Sequence, residues 1–240
     1  MIIKNNLQNI NEIKLVMLDI DGTLVRFTNL EELMQRVFKE MNLEYKNSLF
    51  LRYVKTVSIA LKDAENDISF NFETLCDYVE SENIFKDKND IQTFLSKMIA
   101  YEHDYIEQIE GSSELLETLK SKKNVVCSTN WFLTSQRSKL KRFNLDKYVE
   151  KIYTCENTVA KPNIHHFLGI LNQEITRPSE AIMIGDSITD LPDSKIGLQS
   201  ILFDPNNKKE NLYEQATCVV TELNDITKLL GLSKTKEKDK

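Results

Sequence analysis

An apolar segment that ends abruptly in two aspartates, a glycine and a threonine constrains the fold of this chain more than any other feature. Residues 14–25 read KLVMLDIDGTLV. The consecutive apolar residues Leu15 to Leu18 are typical of a strand buried on both faces, as in the centre of a parallel sheet. Because side chains alternate along a strand, Asp19 and Asp21 lie on the same side of its end. Two neighbouring carboxylates repel each other, so this pair predicts a bound cation.

Helical periodicity fills the segment that follows this strand. The pattern predicts a first helix capped by Thr28 or Asn29, followed by helices over residues 48–64, 72–79 and 90–109, with no strand between them. These helices occupy about eighty residues, which is enough for a small domain. We therefore predict an all-helical domain inserted directly after the first strand.

From Gly111 onward, short apolar segments alternate with helical ones. Such alternation produces right-handed crossovers and a parallel sheet with helices on both faces. The chain is therefore predicted to be an α/β protein with a doubly wound, Rossmann-like core. We assign residues 1–25 and 110–232 to this core, residues 26–109 to the helical insert, and the mostly charged residues 233–240 to a disordered tail.

Charge and cysteine content argue against several functional classes. The 31 basic and 37 acidic side chains give a formal charge of −6, which provides no basic surface for nucleic acid. The four cysteines show no C-x-x-C spacing, so free thiols are expected. No signal peptide and no apolar run of membrane-spanning length is recognisable. We therefore expect a cytoplasmic protein that binds neither nucleic acid nor a membrane.

Polar residues follow two later buried strands of the predicted core. Thr129 and Asn130 follow one of them, and Asp186 follows another. Asp190 comes four residues later, and a helix beginning at Ser187 would keep both carboxylates close together. Since parallel sheets bind ligands at the carboxyl ends of their strands, these side chains are predicted to share one crevice with the first two aspartates.

Four short motifs carry a family resemblance. DIDGTL, STN, KP and GDSITD, in this order, resemble the four motifs of the haloacid dehalogenase superfamily. The helical insert is similar, in its position and helical texture, to the first type of cap in that superfamily. The resemblance implies a phosphatase-like hydrolase whose substrate is a small soluble phosphomonoester, such as a sugar phosphate, a nucleotide or phosphoglycolate.

The resemblance also implies catalytic roles. Asp19 would be the nucleophile that accepts the phosphoryl group as an aspartyl phosphate. Asp21 would protonate the leaving alkoxide and then activate water against that intermediate. Thr129 and the backbone of Asn130 would hold the phosphoryl oxygens, and Lys161 would place a positive charge over them.

A magnesium site is implied by the same resemblance. Asp186, a carboxylate oxygen of Asp19 and the main-chain carbonyl of Asp21 would bind Mg²⁺, and Asp190 would support the site directly or through water. Asp21 also separates reaction classes, because a halide leaves without a proton whereas an alkoxide requires one. Its presence favours a phosphate ester over a haloacid.

Two other functions stay open at this level. A sugar phosphomutase of the same superfamily would use the same motifs, but its aspartyl phosphate must survive until a second hydroxyl arrives. A catalytically silent binding protein on the same fold is the alternative from a different class. The oligomeric state and the identity of the ester do not follow from the sequence.

Several residues near the motifs allow two interpretations. Trp131 either packs beneath the crevice or lines the substrate pocket. Arg26 lies at the entry to the insert, where it is a candidate for contacting substrate. Arg52 belongs to a basic stripe on the second insert helix that either faces solvent or faces the crevice, in which case an acidic substrate is indicated. Of His165 and His166, adjacent on a helix, one is expected to be packed and the other exposed.

Overall fold

Parallel strands form the central layer of the molecule. The computed structural model describes residues 1–66, 70–85, 87–156 and 158–232, so the tail predicted at residues 233–240 lies outside the described residues. Within that part of the chain the strands are β1 (Ile2–Asn5), β2 (Leu15–Leu18), β3 (Val25–Phe27), β4 (Ile106–Gln108), β5 (Asn124–Ser128), β6 (Lys151–Tyr153), β7 (Ala181–Gly185), β8 (Gln199–Phe203) and β9 (Cys218–Val220).

Strand β2 lies at the interior of a seven-stranded sheet with the order β1-β9-β8-β7-β2-β5-β6. It pairs in parallel with β5 on one side and β7 on the other, and all four of its residues are buried. Only β1, at one edge, is antiparallel to its neighbour. The predicted doubly wound α/β core and the buried strand predicted at Leu15 to Leu18 are thus confirmed, although β1 precedes that strand in the chain.

Helices cover both faces of this sheet. They are α5 (Ser112–Lys120), α6 (Leu133–Arg142), α7 (Ile164–Gln173) and α8 (Leu223–Leu229). Alternate residues of β2 pack on opposite faces of the sheet. Val16 packs in the apolar cluster with α5 and α8, whereas Met17 packs in the cluster with α7. Burial on both faces explains why this strand is a continuous apolar run.

Four helices form the insert, as predicted: α1 (Leu30–Glu40), α2 (Asn47–Ala64), α3 (Phe72–Ser81) and α4 (Lys88–Tyr101). The Asn29 side chain caps α1 by accepting a hydrogen bond from the backbone N–H of Glu32 at 3.0 Å. Side chains from all four helices share one apolar cluster, which includes Val37, Tyr53 and Phe94. The same cluster also takes in Phe132, Cys155 and Ala160, so the apolar core of the insert continues into the α/β part of the chain.

The fourth insert helix was predicted to be too long. It ends at Tyr101, and Ile106 lies in β4, which pairs antiparallel with β3 across the base of the insert. The prediction that no strand occurs in the insert is therefore wrong. Three-residue strands are too short to show an alternating pattern, and β3 and β4 are separated by almost the whole insert, so only tertiary contact defines them.

None of the helices in the described ranges combines the length and the apolar character that a membrane span requires.

Candidate active site

The carboxyl ends of the three central strands meet at one edge of the sheet. Leu18 is in register with Cys127 of β5 and with Ile184 of β7. The residues that follow these strands therefore lie side by side, and the backbone N–H of Asp19 donates to the carbonyl of Ile184 at 2.9 Å. This register is what brings Asp19, Thr129 and Asp186 to the same crevice.

Lys161 lies at the centre of this crevice with only 1% of its surface exposed. Its ammonium nitrogen is 2.8 Å from Asp19 Oδ1 and 2.6 Å from Asp190 Oδ1, and it donates to the carbonyl of Ser128 at 2.7 Å. Burial alone would lower the pKa of Lys161, but the two carboxylates outweigh it and raise the pKa. The ammonium group is therefore kept charged.

Three carboxylates lie close enough together to hold a cation. Asp19, Asp186 and Asp190 each offer an oxygen within 4.8 Å of the others. Hard carboxylate oxygens are the ligands that Mg²⁺ and Ca²⁺ prefer. Burial, with Asp190 and Asp186 nearby, raises the pKa of Asp19 well above its ordinary value although Lys161 opposes this. A divalent cation would favour the ionised form of such a carboxyl, so the residues fit a metal.

Two glycines allow the backbone to approach these carboxylates. A Cβ on Gly22, whose φ is +87°, would lie 2.4 Å from Asp186 Oδ1, and a Cβ on Gly185 would lie 2.2 Å from the Asp190 carboxyl carbon. Any larger residue would displace the carboxylate it meets. Asp190 itself accepts from the backbone N–H of Ser187 at 3.0 Å. The helix predicted to begin at Ser187 is only a short 3-10 turn over Ile188–Asp190.

Asp21 has different partners from Asp19. Its carboxylate accepts from Lys139 Nζ at 2.8 Å and from Gln136 Nε2 at 2.6 Å, both on α6. Among the described residues, the carboxylates that could share a metal are those of Asp19, Asp186 and Asp190, and the Asp21 carboxylate is not among them. The two aspartates of the first motif thus lie on the same strand end but are held by separate sets of donors.

Glu102 connects this second aspartate to the insert. It follows α4, is buried, and lies 3.2 Å from Lys139 Nζ. Glu102 also accepts from the Trp131 indole nitrogen at 2.9 Å and from the Ser135 hydroxyl. Burial raises the pKa of Glu102, and Lys139 opposes that rise. Lys139 is therefore an ion-pair bridge between Asp21 and Glu102.

The loop after β5 fixes the position of Lys161. Asn130 Nδ2 donates to the Lys161 carbonyl at 2.8 Å, and Asn130 Oδ1 accepts from the Lys161 backbone N–H at 2.8 Å. The Thr129 hydroxyl accepts from Gln136 Nε2 at 2.8 Å. All seven residues singled out from the motifs therefore lie around the crevice or hold its parts in place.

A cavity of about 310 Å³ opens from this crevice toward the insert. Trp131 lines this cavity, which favours the interpretation that Trp131 faces the pocket over the one in which it packs beneath the crevice. Arg26 does not line it, and its guanidinium pairs with Glu107 at 2.5 Å. The Lys209 ammonium group reaches Asp186 Oδ2 at 2.6 Å from outside the cavity.

Four residues with these contacts were missed by sequence reasoning: Glu102, Gln136, Lys139 and Lys209. Lys139 and Gln136 are three residues apart and so share a helix face. That spacing was the only sequence signal that these two side chains face the same site. It was not recognised because α6 carries several other basic residues, and lysines in a polar helix usually face solvent.

The family model of haloacid dehalogenase-like hydrolases matches residues 16–202. A ribulose-1,5-bisphosphate 5-phosphatase from Halopiger xanaduensis is 33% identical over 118 residues, which cover 46% of this chain and 49% of that protein. The chain thus spans about half the length of the curated relative it matches.

Solved structures resemble the whole arrangement. The proposed HAD-hydrolase YfnB from Bacillus subtilis, bound to magnesium, has a TM-score of 0.70 and 20% identity, over 91% of this chain and 99% of that one. A 2-haloacid dehalogenase from Pseudomonas syringae has a TM-score of 0.63 and 17% identity, over 91% and 98%. At such identities the likeness is one of fold, and it covers the insert as well as the core.

Proposed function

This chain belongs to the haloacid dehalogenase-like hydrolases, and on that premise we propose that it is a phosphatase that releases inorganic phosphate from a small phosphomonoester. The observation that carries this proposal is the separate placement of Asp21, which is held by Lys139 and Gln136 beside the three-carboxylate group. A proton donor next to the nucleophile is needed when an alkoxide leaves, and it has no use when a halide leaves. The phosphatase name of the Halopiger relative supports the same choice.

In the proposed reaction, an oxygen of Asp19 attacks the phosphorus atom while the bond from phosphorus to the ester oxygen breaks. Asp21 gives its proton to the departing alkoxide, which leaves as an alcohol. Asp21 then takes a proton from water as the water oxygen attacks the aspartyl phosphate, so that phosphate is freed and Asp19 is restored.

The remaining motif residues would bind the phosphoryl group and a metal. Lys161, the Thr129 hydroxyl and the Asn130 backbone would hold phosphoryl oxygens. Asp19, Asp186 and the main-chain carbonyl of Asp21 would hold Mg²⁺, and Asp190 has an oxygen close enough to support them. Bound Mg²⁺ would offset the repulsion between the Asp19 carboxylate and the phosphate dianion.

We also propose that residues 26–109 form the cap of this enzyme. The cavity has motif residues on one side and α2 on the other, so a substrate in it would be enclosed between core and insert. Enclosure excludes water and strengthens the electrostatic interactions at the phosphoryl group.

Phosphate release tests this function. A panel of sugar phosphates, nucleotides and phosphoglycolate is assayed with Mg²⁺, and again with EDTA. We expect turnover that requires Mg²⁺ and that falls by about three orders of magnitude or more in Asp19→Asn. Asp146→Asn, at an exposed position outside the site, is the matched control and keeps wild-type activity. Full activity in EDTA or in Asp19→Asn contradicts the mechanism, and isomerised sugar phosphate without free phosphate indicates a mutase.

A further inference from the structure

The part of the cavity wall that the insert contributes through α2 is uncharged and mostly apolar. Helix α2 contributes Tyr53, Val54, Val57 and Leu61, which follow the spacing of one helix face, together with Ser58. Phe27 and Leu30, where the chain enters the insert, complete this apolar wall. The apolar wall meets whatever part of a substrate extends away from the phosphoryl group.

The basic residues of α2 point elsewhere. Arg52 lies 3.7 Å from Glu82, Lys62 lies 2.8 Å from Glu65, and Lys55 is exposed. None of the three lines the cavity. The basic stripe noted in the sequence is therefore a solvated face and provides no partner for an acidic substrate.

Both lysines that do line the cavity are already paired. Lys161 is held by Asp19 and Asp190, and Lys139 is held by Asp21 and Glu102. Among the described residues around the cavity there is no further lysine or arginine. A second phosphate or a carboxylate on the substrate would be removed from water without a positive partner, which is strongly unfavourable.

Two aromatic rings that line the cavity, those of Trp131 and Tyr53, are held in place by their neighbours. The Trp131 indole is anchored on buried Glu102 at 2.9 Å and packs edge-on against Phe132 with ring centroids 4.9 Å apart. Tyr53 packs edge-on against Phe94 with centroids 5.3 Å apart. Rigid aromatic side chains favour contact with an apolar or aromatic group and lose little conformational entropy when it binds.

We propose that the substrate carries a single phosphate and that its leaving group is uncharged, largely apolar and about the size of one ring. The cavity of about 310 Å³ is at the small end of ligand pockets, which suits a compact molecule. This inference rests on the proposed phosphatase function and narrows it, because it excludes bisphosphates and phosphorylated carboxylic acids as preferred substrates.

Three esters of primary alcohols test the inference: benzyl phosphate, a ketopentose 5-phosphate and a ketopentose 1,5-bisphosphate. Their leaving groups are similar in basicity, so kcat/KM reports contact with the wall. We expect kcat/KM for benzyl phosphate to exceed the values for the other two at least tenfold. Equal values, or a preference for the bisphosphate, overturn the inference.

Acetyl phosphate separates this outcome from failure of the proposed function. It is a small phosphoryl donor whose acetyl group is too short to test the wall. Hydrolysis of acetyl phosphate without preference for the benzyl ester leaves the phosphatase function standing and rejects the apolar leaving group. No hydrolysis of any of the four compounds with Mg²⁺ present rejects the inference, and no hydrolysis of the wider panel above as well rejects the phosphatase function with it.

A charge placed in the wall provides the second test. Val57→Asp is expected to lower the ratio of kcat/KM for benzyl phosphate to that for the pentose phosphate at least tenfold. Ile59→Asp is the matched control on the same helix, since Ile59 is 40% exposed and does not line the cavity, and it keeps the wild-type ratio. Val57→Thr keeps the shape of the side chain but adds a hydroxyl, so it is expected to lower the ratio about threefold. This variant replaces Val57→Asp in the test if Val57→Asp does not fold. An unchanged ratio in a folded Val57 variant contradicts the inference.

Discussion

At the scale of single residues, the two aspartates of the first motif show how one strand end can hold two chemically different carboxylates. Asp19 lies among Lys161, Asp186 and Asp190, where a cation fits. Asp21 is held by Lys139 and Gln136. The separation would leave the Asp21 carboxylate available for the proposed proton transfer, because its carboxylate oxygens are not part of the group suited to a metal.

Asp21→Asn should therefore impair chemistry more than binding. We expect kcat to fall by about two to four orders of magnitude, because an amide neither gives nor takes the proton at neutral pH. Affinity for vanadate, a phosphate mimic, should change little, since the groups proposed to hold phosphate are intact. Steady-state kinetics and vanadate inhibition measure the two effects. Wild-type turnover in Asp21→Asn contradicts the proton-transfer role.

We expect Lys139 to act as a positioning residue, since its ammonium group contacts Asp21, the proposed proton donor. Burial alone would lower the pKa of Lys139, but Asp21 and Glu102 outweigh it and raise the pKa. Lys139→Met leaves two carboxylates without their cation, and breaking such a buried pair costs about 3–5 kcal/mol of stability.

We expect kcat of Lys139→Met to fall about tenfold to a hundredfold in addition to the loss of stability, with KM little changed, because the carboxylate proposed to transfer the proton loses the ammonium group that holds it in place. Lys139→Arg should recover much of both losses. The exposed neighbour Lys141 provides the control Lys141→Met, which should behave as wild type. A stability loss with wild-type kcat in the folded variant indicates that Lys139 is only structural.

At the scale of elements, His166 links α7 to β5. Its Nε2 is 3.0 Å from the Ser128 hydroxyl and its Nδ1 is 2.9 Å from the carbonyl of Val159. Burial lowers the pKa of His166 to about 4. His166 is only 4% exposed whereas His165 faces solvent, so the expectation that one is packed and the other exposed is confirmed.

This buried imidazole predicts a loss of stability in mild acid. The pKa of His166 is about 4 in the folded chain and 6.5 in the unfolded one. The unfolded state therefore binds more protons than the folded state between these two pKa values. The contribution of neutral His166 to stability is complete above pH 6.5 and is lost as the pH falls toward 4. Between pH 7 and pH 5 the loss is about 2 kcal/mol.

Urea unfolding at pH 7 and pH 5 measures the loss, with His166→Gln and His165→Gln as a matched pair. His166→Gln should reduce the pH dependence by that amount, whereas His165→Gln should retain it. Equal pH dependence in the two variants contradicts the assignment to His166.

At the scale of the whole molecule, the proposed metal joins segments that are far apart in the chain. Asp19 follows β2, while Asp186 and Asp190 follow β7, so the site exists only when the sheet is formed. Mg²⁺ that binds the folded state alone should raise stability by about 2.7 kcal/mol at a hundred times its dissociation constant.

Thermal unfolding with saturating MgCl₂ and with EDTA measures this effect. In Asp186→Asn the rise in Tm with Mg²⁺ should be mostly lost, while stability in EDTA should hold, because one of three mutually repelling carboxylates is removed and the amide can still accept from Lys209. Asp146→Asn should respond to Mg²⁺ as wild type does. An undiminished rise in Tm in Asp186→Asn contradicts its role as a ligand.

The sequence by itself determined the α/β fold, the four-helix insert and the set of motif residues that gather at one edge of the sheet. Local patterns carry this information. The apolar run of β2 could only be a buried strand followed by polar residues, and parallel strands bring their carboxyl ends to one edge whatever lies between them. The edge strand β1 and the pair β3 and β4 were missed because each is short and is defined by a distant partner.

Only the tertiary structure decided which other side chains complete the site and which face of α2 meets the cavity. Lys139 looks like a surface lysine in its helix, and it becomes a buried bridge because Asp21 and Glu102 come from two other segments. Arg52 and Val57 belong to the same helix, and the packing of that helix turned Val57 toward the cavity and Arg52 toward Glu82. The physical reason is that periodicity defines the faces of a helix, whereas the neighbours of each face depend on the packing of distant parts of the chain.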